Sequence, residues 1–167
     1  MILTLLEMRE YVYYPLLLGV SIFALWKGGG PERALAALIW LAMIIPHRAF
    51  HWITGELDGH THLDAFHVGM DGVVAVGAIL VALYANRTYP LWFAGLQLIS
   101  MQSHFARALT SDIAPIAYAT MQIAPFYLML VALGIGTWRH DRRLRRYGPY
   151  RDWRTPGWWP RTVDRNA

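Results

Sequence analysis

Long apolar runs separated by short polar breaks organise this chain. The runs cover roughly positions 11–26, 33–53, 66–84, 91–107 and 113–138, each close to the ~20 residues that carry a helix across a bilayer. The first break, "KGGGPER", stops a helix with its glycines and proline. Period-two alternation is missing and the breaks are too few for a barrel, so the pattern predicts an all-α fold. Pro15, Pro46, Pro115 and Pro125 fall within or beside the runs; such prolines are costly inside soluble helices but common in bundled membrane helices. Stretches such as "GVSIFA" and "GVVAVGAILVALYA" supply the small residues that let such helices pack closely.

The expectation is a polytopic membrane bundle of five transmembrane helices. Runs 11–26 and 91–107 are the shortest, so four spans plus one re-entrant or interfacial helix is the alternative. The residues ahead of the first run, "ILTLLEM", would extend it as an interfacial turn. The start carries no basic region followed by a small-residue cleavage site, which argues against a cleaved signal peptide.

Composition agrees with this reading. Only 16% of the 167 residues are charged and 56% are hydrophobic, whereas a soluble domain carries charge at about one residue in four. Most of the 15 Lys and Arg lie beyond residue 138. Two regions follow: a helical bundle over 1–138 and a basic, aromatic cytoplasmic tail over 139–167. With that tail inside, five spans put the N-terminus outside. Lys27, Arg33 and Arg87 then fall on the inner side, and "TGELDGHTHLDA", with no Lys or Arg, on the outer side, as the positive-inside rule requires. A bacterial-type inner membrane is the expected location.

The basic pI of about 9.6 raises nucleic acid as a partner. Confinement of the arginines to one terminal segment among Trp and Tyr fits anionic headgroups better, so the bilayer is the expected partner. A membrane-complex partner or a second copy is also open. With no cysteine in the chain, disulfides and thiolate chemistry are excluded.

Candidate chemistry gathers at the outer ends of three runs. "PHRAFH" carries His47 and His51, "HVGMD" carries His67 and Asp71, and "SMQSH" carries Ser100 and His104. Each pair is spaced four residues apart and so shares a helix face. Antiparallel helices would stack them in two layers, a shallow one of His51, His67 and His104 and a deeper one of His47, Asp71 and Ser100. A carboxylate as deep as Asp71 needs a cation, a histidine or protonation; Arg48 and Arg107 are the arginines in reach. His47, His51, His67 and His104 are therefore candidate metal ligands, for zinc or another first-row divalent ion. Asp71 and Ser100 are candidate catalytic groups, and His60, His62 and Asp64 in the adjoining loop could extend the site.

Three functions fit these residues. In a metal-dependent hydrolase acting on a lipid or other amphiphile, the ion would lower the pKa of bound water and polarise the scissile group. The set in "HRAFH", "HVGMD" and "SMQSH" resembles, in residue types, that of the ceramidase-type membrane hydrolases, which bring histidines, an Asp and a Ser together on transmembrane helices. A haem- or quinone-binding electron-transfer subunit would use histidines from two helices, or Gln97, Gln102 or Gln122. A non-catalytic accessory or scaffold subunit would need none of this chemistry.

Overall fold

The computed structural model describes residues 2–55, 65–109 and 115–154; the side chains at 2–10, 54, 107, 115–119 and 122 fall outside the description. All regular structure in the described residues is helical. Helix α1 spans Ile2–Lys27 and α2 spans Gly30–Ile39. A π-helical turn over Trp40–Ile44 leads without a break into α3, Ile45–Thr54. Helices α4 (Ala65–Tyr84), α5 (Tyr89–Leu109) and α6 (Pro115–Tyr147) complete the chain order. With α2, the π turn and α3 counted as one rod, the architecture is five helices, as the apolar runs predict.

Local chemistry sets the ends of these rods. Gly28 and Gly29 interrupt the chain between α1 and α2, and Pro31 sits in the first turn of α2, where its missing N–H costs nothing. The Glu32 carboxylate accepts from the Gly29 N–H at 3.0 Å. Two ends close on a left-handed glycine: Gly55 (φ 67°) donates to the His51 carbonyl, and Gly148 (φ 77°) to that of Leu144. Only glycine takes that conformation without a Cβ penalty.

The rods run alternately up and down and close a ring: α1 packs on α2, α2 on α4, α4 on α5, α5 on α6, and α6 back on α1. The buried interior comprises Leu17, Leu35, Ile39, Phe93, Met129, Leu130 and Leu133, with Ala78 and Ala82 on α4 permitting close approach. Tyr13 stacks on Phe126 with ring centroids 5.0 Å apart, joining α1 to α6.

Large apolar side chains also cover much of the exterior. Trp52 is 87% exposed, Ile53 75%, Leu41 67% and Val76 60%, and these are only part of that surface. Two stretches, Gly30–Ile53 and Ala65–Tyr84, are long and apolar enough to cross a membrane.

Candidate metal centre

The π turn decides which side chains of α3 face inward. On α2 Pro31, Glu32, Leu35, Ala36 and Ile39 are buried, the last four as one stripe at helical spacing. An uninterrupted helix would continue that stripe through Met43, Pro46 and Phe50. Pro46 lacks an N–H and its ring would collide with the Ala42 carbonyl. The backbone instead widens by one residue, and the Ile45 N–H donates to the Trp40 carbonyl five positions back. One extra residue turns everything after it by about 100°. The inward stripe therefore resumes at Ile44, which is buried, and passes through His47 and His51. Trp40 fixes the turn from the other side, its indole N–H donating to Ser21 Oγ of α1 at 2.9 Å.

His47 Nδ1 lies 2.9 Å from His67 Nε2 across the α3–α4 contact. His51 packs against both rings, its centroid 4.6 Å from that of His47 and 5.4 Å from that of His67. All three are half-buried, and one nitrogen from each lies within 4.8 Å of the others. Ligand nitrogens on a tetrahedral zinc stand about 3.3 Å apart, given Zn–N bonds of about 2.0–2.1 Å. The three imidazoles are thus close to the spacing a first-row ion requires, and the group could hold one. Phe50 and Phe66, stacked at 4.3 Å, form an aromatic wall beside His51 and His67.

One turn along α4 from His67, about 6 Å, a second polar group begins. Asp71 Oδ2 pairs with His104 Nε2 at 2.8 Å, and Gln97 Nε2 donates to Asp71 Oδ1 at 3.0 Å and to the Asp71 carbonyl at 3.2 Å. All three residues are buried. A carboxylate only accepts, so it calls for a proton on His104 Nε2. Ser100 is buried on α5 one turn before His104, and its carbonyl accepts from the Ser103 hydroxyl at 2.6 Å.

The expected site residues thus divide. His47, His51 and His67 come together as a candidate ligand set, while Asp71 and His104 come together as a hydrogen-bonded pair. These contacts run diagonally, His47 with His67 and Asp71 with His104, across the two layers the spacing suggests. Asp71 finds its partner in a histidine; Arg48 instead donates to the Tyr14 hydroxyl at 3.3 Å on the exposed side. The side chain of Arg107, and all of His60, His62 and Asp64, lie outside the described residues. Gln97 as a partner of Asp71 is not foreseen by the sequence reading. The signal existed, since Gln97, Ser100 and His104 recur at helical spacing on one face of α5.

A second polar assembly closes the opposite end. Arg87, in the turn between α4 and α5, bridges the Glu32 and Asp152 carboxylates. Asp152 also accepts from the Gly30 N–H at 2.8 Å. The segment after α6 returns to the bundle here: Asn86 N–H donates to the Asp152 carbonyl, and Arg154 N–H to that of Tyr84. His140 Nδ1 lies 2.7 Å from the Tyr150 hydroxyl. Burial, with Arg87 nearby, lowers the His140 pKa from its usual 6.5, and burial raises that of Tyr150.

Comparison with known protein families, with curated proteins and with solved structures finds no match. The site's own chemistry is the ground for a functional reading.

Proposed function

We propose that the protein is a multi-pass inner-membrane protein whose five helices all cross the bilayer, N-terminus outside and C-terminus in the cytoplasm. It carries a first-row divalent metal, zinc foremost, on His47, His51 and His67 near the periplasmic face. The metal serves hydrolysis of a lipid or other amphiphile. The observation that carries the reading is the convergence of three imidazole nitrogens from two helices within 4.8 Å of one another. Three protein ligands with a fourth position open to water is the donor arrangement of catalytic zinc, and the bound water would be the nucleophile.

Asp71 has both carboxylate oxygens engaged, by Gln97 and by His104. Its role in this proposal is to orient His104 beside the metal centre. Ser100, one turn from His104, would steady developing charge.

The membrane part is supported by the two long apolar helices and by where the exposed aromatics fall. Trp26, Tyr84, Trp92, Trp138 and Tyr147 are exposed at the Arg87 end, and Tyr11, Trp52 and Phe105 at the histidine end, as interfacial belts would be. An apolar exterior this extensive is a liability in water and ordinary against lipid.

Elemental analysis of the detergent-purified protein tests the metal directly. The expected result is one first-row ion per chain, lost in the His47→Ala/His67→Ala double variant. Hydrolysis of fluorogenic amphiphilic esters and amides should cease on chelation and return with zinc. Protein that folds and takes up no metal refutes the proposal, and a Soret band in the same sample would replace it with haem. A metal without hydrolysis across that panel would leave the accessory-subunit reading in its place.

A further inference from the structure

At the Arg87 end the described acids are paired, while the arginines of α6 face outward. Glu32 is fully buried against Arg87, and Asp152 is held between Arg87 and the Gly30 N–H. Asp141 pairs with Arg145 on the next turn at 2.9 Å. The acidic groups described at this end are therefore committed to partners. The exposed arginines of α6 and the returning segment, among them Arg139, Arg142, Arg146 and Arg151, outnumber them and give this end a net positive surface among the described residues.

Exposed indoles border that surface. Lys27 lies over the Trp26 ring at 4.6 Å, and Arg142 over the Trp138 ring at 5.4 Å. These two pairs sit on α1 and α6, which pack on each other. An indole at the hydrocarbon boundary with a cation just beyond it matches the depth profile of a phospholipid headgroup.

We infer that this end of the bundle is a binding surface for anionic phospholipid headgroups, with Arg139, Arg142 and Arg146 as its exposed contacts; the inference rests on the membrane reading above. Each arginine near an anionic leaflet strengthens attachment by about fivefold, and the gain is screened by salt. The returning segment contributes by engaging Asp152 with Arg87 and the Gly30 N–H, which draws its carboxylate away from the headgroups.

The test uses the full chain in nanodiscs of phosphatidylcholine alone or with one third phosphatidylglycerol. The expected result is a higher unfolding temperature with phosphatidylglycerol, a difference that disappears in high salt. R139Q/R142Q/R146Q should remove the difference while unfolding normally in phosphatidylcholine, and R139K/R142K/R146K should keep it. Equal unfolding temperatures in the two lipids overturn the inference and leave the membrane reading standing. A chain that enters neither nanodisc overturns both. Equal stabilisation by inorganic phosphate in phosphatidylcholine discs would assign the surface to the free ion, and arginine-dependent binding of a short DNA duplex would assign it to nucleic acid. Either result defeats the lipid assignment.

Discussion

The Ile45 N–H donates to the carbonyl of Trp40, five residues back rather than four. The π turn that this bond closes brings His47 and His51 to the inside of the bundle, where His67 waits on α4. Deleting Leu41, an exposed residue within the turn, should restore α-helical phase and rotate both histidines by about 100°. The expected outcome is retained helicity by circular dichroism with metal content reduced to background by elemental analysis. Metal retained at full stoichiometry would show that the π turn does not set the site.

Asp71 is the pivot of the second polar group. A buried hydrogen-bonding group left without its partner costs about 1–3 kcal/mol. Asp71→Ala should therefore destabilise the protein by about 3–5 kcal/mol in all, since it strands both His104 and Gln97. Asp71→Asn retains an acceptor for one of them and should cost less. Denaturant-induced unfolding followed by tryptophan fluorescence measures both, and equal costs would contradict the pairing.

At the other end, Glu32 is wholly buried and Arg87 nearly so. Arg87→Ala should be more damaging than any exposed arginine substitution, again about 3–5 kcal/mol. The double variant Arg87→Ala/Glu32→Gln should recover part of that loss, because the stranded charge is gone. Unfolding curves of the single and double variants decide this, and strictly additive losses would count against it.

His140 gives a pH dependence of defined sign. Its folded pKa lies below the usual 6.5, with burial the main cause and Arg87 next. Glu32, Asp152 and Asp141 pull the other way. Below pH 6.5 the unfolded chain takes up a proton that the folded chain refuses, so stability falls as pH drops from 6.5 toward the folded pKa. Above 6.5 this contribution is flat. The measurement that isolates His140 is the difference between wild type and His140→Gln. That difference should change below pH 6.5 and be constant above it.

The rods themselves were legible because hydropathy and helix-breaking residues are local signals. "KGGGPER" marks the α1–α2 junction, and the spacing of His47, His51, His67 and Asp71 marks two helix faces. What linear spacing does not carry is helical phase after an irregularity. Pro46 announces trouble within the second rod, yet whether the backbone kinks, breaks or widens depends on what Trp40 and Ile44 pack against. The same limit explains the His47–His67 contact: layers drawn from residue counts assume regular helices in register, and the π turn ahead of His47 displaces that register. Gln97 shares the His104 face of α5 by spacing, yet its role as a donor appears only once the Asp71 carboxylate of α4 stands opposite. The segment 148–154 reads as part of a basic tail facing anionic headgroups, and only the fold reveals that Asp152 is matched to Arg87 and the start of α2.

That last match orders events during synthesis. The Gly30–Asp152 contact spans 122 positions of sequence, and Arg87 emerges between them. Glu32 therefore leaves the ribosome with neither its counter-ion nor the final clasp available, and domains acquire structure from the N-terminal side as translation proceeds. The first two rods must be held by apolar packing alone until the α4–α5 turn arrives. The bundle is sealed only when the residues after α6 fold back, so the clasp reports that all five helices have been made and set in place.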